Sequence, residues 1–342
     1  MDIASLETEG FTATNILEWR PPEQRDFKKK RCEKTGEISI KHNDKTETGA
    51  LCAAINSKAP QTLFNEDLYG FSAKGMAEHI AEHNLLAVSL QCDDFSCLKN
   101  TKDRQRSIET LDTTIDMIFP TVRLIEETDA PMVLIEQVRN FESSIERKLL
   151  SKRLNELGYT VKEKVINAAI EQNGMTKRAR YFLFASKLSG DFEWPEAVER
   201  TANVWRDVIE PNMGNLRDVS HTITIRKAIE TGRMRPLTQE SDSGPTLTKS
   251  DSRQPKDMVT VVHDGKYFAV DNVIRKKLMG IPESFNIEPF TGEIGAEIIG
   301  QSVDWNVHTK ISQQIKSHVE KFMQRRTPVE AQQLDLWARC VA

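Results

Sequence analysis

The stretch Leu85-Leu86-Ala87-Val88-Ser89-Leu90-Gln91-Cys92-Asp93-Asp94-Phe95-Ser96 decides how this chain is read. Its first six residues form an apolar run with the length of a strand buried on both faces. Cys92 falls just beyond the carboxyl end of that run, where open α/β sheets place their ligands. A lone cysteine is more often an inert core residue than a nucleophile. Three later segments change that balance: Val133-Leu134-Ile135-Glu136-Gln137-Val138, Thr176-Lys177-Arg178-Ala179-Arg180 and Gly300-Gln301-Ser302-Val303.

Working outward, helical and strand patterns alternate from about 50 to 185, which predicts an α/β domain. Residues 50–55 are helix-like, and Thr62-Leu63-Phe64 reads as a short strand ending at Asn65-Glu66-Asp67. Residues 107–127 have helical spacing, and Pro120 is expected to bend or break that helix. Residues 132–135 form a second buried strand with Glu136 at its end. Residues 145–157 form a helix stopped by Gly158, and 181–184 form a strand that follows the two arginines.

From about 190 to 265 Pro, Gly, Ser, Asp and Thr become frequent, and Gly244-Pro245 and Gln254-Pro255 mark turns. Strand-like pieces there are short, at 259–262 and 268–270. Regular pattern returns at 273–278, and a final amphipathic helix is expected over 303–323, with Val307, Ile311, Ile315, Val319 and Phe322 on one face. The expected organisation is a catalytic α/β domain over 1–187, with the first 40 or so residues divergent. A smaller loop- and strand-rich unit follows over 188–268, then a return to the first domain over 269–325 and a loosely held tail over 326–342.

Composition narrows the function classes. The chain has 342 residues and a net charge of −4, which argues against a uniformly basic coat for nucleic acid but not against a local basic surface. One such surface is offered by the stretch 222–256, with Arg233, Arg235, Lys249 and Arg253; a second, around Arg25 and Lys28 to Arg31, reads more simply as a solvated face. No apolar run has the length of a membrane span, and the N-terminus lacks a signal-peptide core. The five cysteines are scattered without zinc spacing, so no metal site and a reducing cytoplasm are expected.

The ordered segments resemble those of the DNA (cytosine-5) methyltransferase family. Gln91-Cys92 stands where that family has a proline-cysteine loop, and Glu136-Gln137-Val138 where it has Glu-Asn-Val. Asn167-Ala168 followed by Thr176 to Arg180 resembles its Asn-Ala and Gln-x-Arg-x-Arg segments. Thr246-Leu247 resembles its recognition-region Thr-Leu, Gly280-Ile281-Pro282-Glu283 its Gly-Phe-Pro-Asp, and Gly300-Gln301-Ser302-Val303 its Gly-Asn-x-Val. The resemblance spans roughly residues 40 to 325 and implies a Rossmann-like, S-adenosylmethionine-dependent methyltransferase domain with a smaller target-recognition domain. It assigns Cys92 as nucleophile, with Glu136, Arg178 and Arg180 completing the catalytic set. Asp44, Asp67, Gln301 and Ser302 are assigned to the cofactor. Double-stranded DNA is the implied partner, with Arg233, Arg235, Thr246, Leu247, Lys249 and Arg253 as candidate contacts. The chemistry agrees with these residue types: a thiolate adding at C6 of cytosine makes C5 nucleophilic, and charge moving toward N3 and O2 calls for a carboxylic acid and a guanidinium.

The chain departs from the family pattern at several points. No glycine stands between Gly10 and Gly36, so Phe11-Thr12-Ala13-Thr14-Asn15 takes the place of the family's glycine-rich cofactor turn. Asp93 and Asp94 put two carboxylates beside the thiol, and Gln91, Gln137, Gln301 and Val273-Ile274 replace family residues. Three readings stay open: an active DNA enzyme; a catalytically impaired DNA-binding homologue, or one subunit whose partner supplies the glycine-rich motif; and an enzyme acting on RNA cytosine.

Overall fold

The computed structural model describes residues 13–16, 28–31, 38–41, 52, 55–56, 85–89, 92, 94–95, 105, 109, 115–251 and 258–325. The main sheet is built from β1 (Ala13–Ile16), β4 (Leu85–Ser89), β5 (Met132–Val138), β6 (Thr160–Asn167) and β7 (Ala179–Ser186), in the order β1-β4-β5-β7-β6. The strands β2 (Lys28–Arg31) and β3 (Ile38–Lys41) form a separate antiparallel pair. β1, β4 and β5 are parallel, and β7 runs antiparallel between β5 and β6. The crossover from β5 to β6 leaves a slot one strand wide, and β7 fills it from the opposite direction.

Period-two alternation sorts the strand residues onto two faces. Leu86, Val88, Val133, Ile135, Tyr181 and Leu183 pack in a cluster with α1 (Ile118–Thr128) and α2 (Ile145–Glu156). Their neighbours Leu85, Ala87, Met132, Leu134, Phe182 and Phe184 pack on the other face. There they meet Val307, Ile311, Ile315 and Val319 of the long helix α7 (Trp305–Arg325). Cover on both faces is why these strands read as continuous apolar runs.

The expected elements recur with shifted ends. Pro120 does not break α1, because it lies in the first turn, where the backbone N–H has no intrahelical partner to lose. α2 is capped by Ser144, whose side chain accepts from Arg147 N at 3.0 Å, and its exit turns at Gly158 with φ +86°. β5 runs two residues beyond Glu136, because β7 pairs with it as far as Val138↔Arg180. Glu136 therefore sits inside the strand, not at its end. The expected strand at 62–64 lies outside the described residues.

The second unit holds β8 (Arg217–Asp218), β9 (Arg235–Leu237), β10 (Val259–His263) and β11 (Lys266–Ala269), in the order β8-β11-β10-β9. β10 and β11 form a hairpin whose two turn residues, Asp264 and Gly265, both have positive φ (48° and 70°), as the right-handed twist of hairpins favours. One face of this sheet carries α4 (Ile223–Glu230) through Ile225. The other face joins a core with α5 (Asn272–Leu278) and Ile299 of α6 (Gly292–Gln301). That core crosses residue 268, at which the sequence reading returned the chain to the first domain. The short helix α3 (Ala168–Glu171) follows β6 on the way to β7. Among the described residues no helix is long and apolar enough to cross a membrane.

Candidate active site

Glu136 and Arg180 meet because of register. On antiparallel β5 and β7, Glu136 opposes Phe182 and Arg180 opposes Val138, so the two are diagonal neighbours. Alternation puts both on the face that carries Leu134, Phe182 and α7. Arg180 Nε lies 3.0 Å from Glu136 Oε1, with both side chains mostly buried. Burial raises the Glu136 carboxyl above its ordinary range, against the opposing pull of Arg180 and Arg178. Such a carboxyl holds a proton more readily than a solvated one.

Cys92 reaches the same edge from the neighbouring strand. β4 pairs in parallel with β5, and its last residue, Ser89, stands opposite Glu136. Beyond it the chain turns, with Phe95 N donating to Cys92 O at 3.1 Å. Phe95 anchors this turn edge-to-face on Phe141 at 5.0 Å between ring centroids, and Phe141 in turn contacts Tyr181, the neighbour of Arg180. Cys92 is partly exposed and not in a disulfide, and it lies close enough to Arg178 for negative charge on the sulfur to favour the guanidinium.

Arg178, expected in the catalytic set as the arginine that holds the loop or a phosphate, is buried and bonded to backbone carbonyls. It is 1% exposed. Its Nη1 donates to Leu247 O at 2.8 Å, and its Nη2 donates to Gly300 O at 2.9 Å and Ser302 O at 2.5 Å. Burial, reinforced by Arg180, lowers its pKa to about 9, while Glu136, Asp304 and Cys92 favour its charge.

The residues expected to hold DNA divide. Arg233 is exposed and Lys249 partly so. Arg235 instead pairs with the buried Asp251 at 2.8 Å and donates to Thr246 O. Thr246 Oγ1 donates to Lys177 O at 2.9 Å. Leu247 is 1% exposed and packs in the core of the second unit, so its side chain cannot read a base in this arrangement. Arg253 lies outside the described residues.

The cofactor residues also divide. Asp44 and Asp67 lie outside the described residues. Gln301 ends α6 with an exposed side chain that suits a ligand. Ser302 is built into the frame, its hydroxyl donating to Ile299 O at 2.8 Å and its carbonyl accepting from Arg178. Ala13 to Asn15, in the segment that takes the place of the glycine-rich turn, form part of β1 and pair in parallel with β4. The exposed Gln301 amide and the parallel β1–β4 edge fit a nucleoside-bearing cofactor at the carboxyl ends of the strands.

Two features of this junction were missed in the sequence. Asp304 caps α7, accepting from Val307 N at 3.2 Å, and is 2% exposed. A capping residue just ahead of an amphipathic run was the available signal. Burial raises its carboxyl to about pKa 6. The folded protein therefore keeps a proton that the unfolded chain releases between about pH 4 and 6, and this stability is lost as pH rises through 6. Asp304→Asn keeps the cap acceptor without the charge. In urea unfolding it is expected to match the wild type near pH 4 and to exceed it by about 3 kcal/mol above pH 7. His308, lowered by burial to about 4, acts with opposite sign over a similar range, so the difference between the two proteins is the quantity to measure. A pH-independent difference would contradict the assignment.

The second missed feature is the contact under Gly300. A Cβ there would lie 2.4 Å from Thr248 O and 2.6 Å from Thr248 C, both backbone atoms that cannot swing aside. Gly300→Ala is expected to cost about 1–3 kcal/mol of stability, seen as a lower urea midpoint at unchanged slope. An unchanged midpoint would show that the Thr248 segment can yield.

Residues 54–317 match the family profile described as C-5 cytosine-specific DNA methylase. The chain is 26% identical over 265 residues to the Type II methyltransferase M.HhaI of Haemophilus parahaemolyticus, covering 70% of this chain and 77% of that protein. It is 31% identical over 110 residues to a DNA-cytosine methyltransferase of Escherichia coli strain K12, covering 30% of this chain and 22% of that protein. Among solved structures, the Entamoeba histolytica methyltransferase EhMeth superposes with a TM-score of 0.60 at 16% identity, over 80% of this chain and 88% of its own. The S. pombe Dnmt2 methyltransferase gives 0.59 at 16% identity, over 78% and 87%.

Proposed function

The chain belongs to the C-5 cytosine-specific DNA methylase family, and from that premise we propose that it methylates C5 of a cytosine flipped out of duplex DNA, through a covalent adduct on Cys92. The observation that carries the proposal is the Glu136–Arg180 contact, held by register near the carboxyl end of β5, beside the end of β4 from which the chain runs on to Cys92.

In this reading the Cys92 thiolate adds to C6, and the electron pair displaced from the C5–C6 bond makes C5 nucleophilic. Glu136, its proton favoured by burial, donates to N3 and accepts from the exocyclic amine. Arg180 is fixed by Nε on Glu136 and Nη1 on Ala179 O, and directs Nη2 at O2, where negative charge gathers. Once C5 carries its methyl, loss of the C5 proton to solvent, expulsion of the thiolate and return of the N3 proton to Glu136 restore the ring, free Cys92 and reset the carboxyl. S-adenosylmethionine, when bound, supplies the electrophilic methyl; Gln301, with Asp44 and Asp67, would hold it. Extruding the base removes it from the stack, which a buried edge of this kind requires. The unit over 188–268 is the proposed target-recognition domain, with Arg233 and Lys249 as its described candidates for phosphate or base contacts.

The test is incubation of the purified chain with methyl-labelled S-adenosylmethionine and either duplex plasmid DNA or tRNA. Label recovered as 5-methylcytosine in the plasmid supports the proposal. Label confined to tRNA, or absent from both, overturns it.

A further inference from the structure

We propose that Arg178 is a positioning residue that couples the recognition segment Thr246–Thr248 to the catalytic edge, so that discrimination among DNA sequences depends on it. The inference rests on the DNA-methylating reading above and adds a mechanism of selectivity to it. The side chain springs from the start of the chain run that leads through Arg180, yet it ends on carbonyls of two distant segments. One is Leu247 O in the second unit, and the others are Gly300 O and Ser302 O at the α6–α7 junction.

The segment it holds is pinned on every side. Thr246 is tied to Lys177 O by its hydroxyl, and Gly244 N–H and C=O bond Met175 and Lys177. Leu247 is rooted in the core of the recognition unit. Thr248 bonds Asp251 through its hydroxyl at 2.6 Å, and its carbonyl lies against Gly300. A displacement of Leu247 when the recognition unit meets a duplex must therefore draw on Arg178 or break its bond. A buried guanidinium cannot give up an acceptor cheaply, because no water replaces it. Arg178 also shares its field with Glu136 and Cys92, so its displacement is felt at the reacting groups. A guanidinium can serve three carbonyls in one fork, which a lysine ammonium cannot reproduce in the same plane.

The experiment compares wild type, Arg178→Lys and Gly300→Ala, each first measured for folded fraction by thermal melting. A pool of duplexes with a randomised core is bound to each protein, and the retained sequences are read out. Methyl transfer to plasmid DNA is measured alongside, with the sequence context of each modified cytosine. A coupling of this kind is expected to be worth about 5- to 150-fold. The preference of the wild type for its enriched sequences should fall by about tenfold in Arg178→Lys, with affinity for the unselected pool held within about twofold. Gly300→Ala, which disturbs the same segment from the other side, should broaden the preference in the same direction. If either folded variant keeps the wild-type preference, or loses all sequences in proportion to its folded fraction, Arg178 is only a structural strut. A wild type that enriches no sequence also overturns the inference. A wild type that enriches sequences but transfers no methyl group defeats the activity reading alone.

Discussion

Cys92→Ser is expected to lower methyl transfer by a factor on the order of 10³ or more, while DNA affinity stays within about twofold. The hydroxyl that replaces the thiol is nearly isosteric but far less acidic, and at neutral pH almost none of it is an anion able to add to C6. Little else should change, because the turn carrying Cys92 is held by Phe95 on Phe141 and by the Phe95 N to Cys92 O bond, neither of which uses the sulfur. The measurement is single-turnover transfer to plasmid DNA. A duplex carrying 5-fluorocytosine gives an independent readout: fluorine at C5 cannot leave as a proton does, so the adduct persists and migrates with the protein on a denaturing gel. Trapping by wild type and none by Cys92→Ser is the expected pair. A serine variant that turns over at the wild-type rate would remove the assigned nucleophile.

Glu136→Gln is expected to lower the rate of the chemical step by about 10²–10⁴-fold with little effect on KM. The amide copies the hydrogen bonds of a protonated carboxyl, donating from nitrogen to N3 and accepting from the exocyclic amine, so a base can still be held. It cannot deliver the proton that stabilises the adduct. The substitution should not unfold the protein, because burial already disfavours the charged carboxylate. Glu136→Ala is a different experiment. It leaves the mostly buried Arg180 without its partner, and losses of that kind reach about 3–5 kcal/mol. Melting both variants separates the effects. A rate that survives in the glutamine variant would mean that N3 is protonated from elsewhere.

The sequence carried most of the frame. The apolar runs around Val88 and Leu134 and the spacing of Ile311, Ile315 and Val319 identified strands and a helix that the structure contains. What it hid has physical causes. β6 lies half-buried at the sheet edge and carries Lys162, Glu163 and Lys164 in succession, so it lacks an apolar run. α6 contains Gly292, Gly295 and Gly300, which propensity counts against a helix, yet Gly300 is needed because a Cβ there would meet the backbone oxygen of Thr248 at 2.4 Å. The Asp264-Gly265 pair was a readable hairpin signal between two short strands.

The ordered residues Cys92, Glu136 and Arg180, and the strands that carry them, follow from local pattern, because alternation and strand length are set by neighbours in the chain. The meeting of Glu136 and Arg180 does not. It depends on β7 entering antiparallel between β5 and β6, which brings Arg180 to Glu136 across 44 positions of sequence. The same is true of Arg178, for which the sequence suggests a part in holding the loop or a phosphate beside Arg180. Both arginines fall on one face by alternation, but only the packing of Leu247 and Gly300 against that face closes over Arg178, and tertiary contacts bond its guanidinium to carbonyls of distant segments where its neighbour two residues on pairs with Glu136.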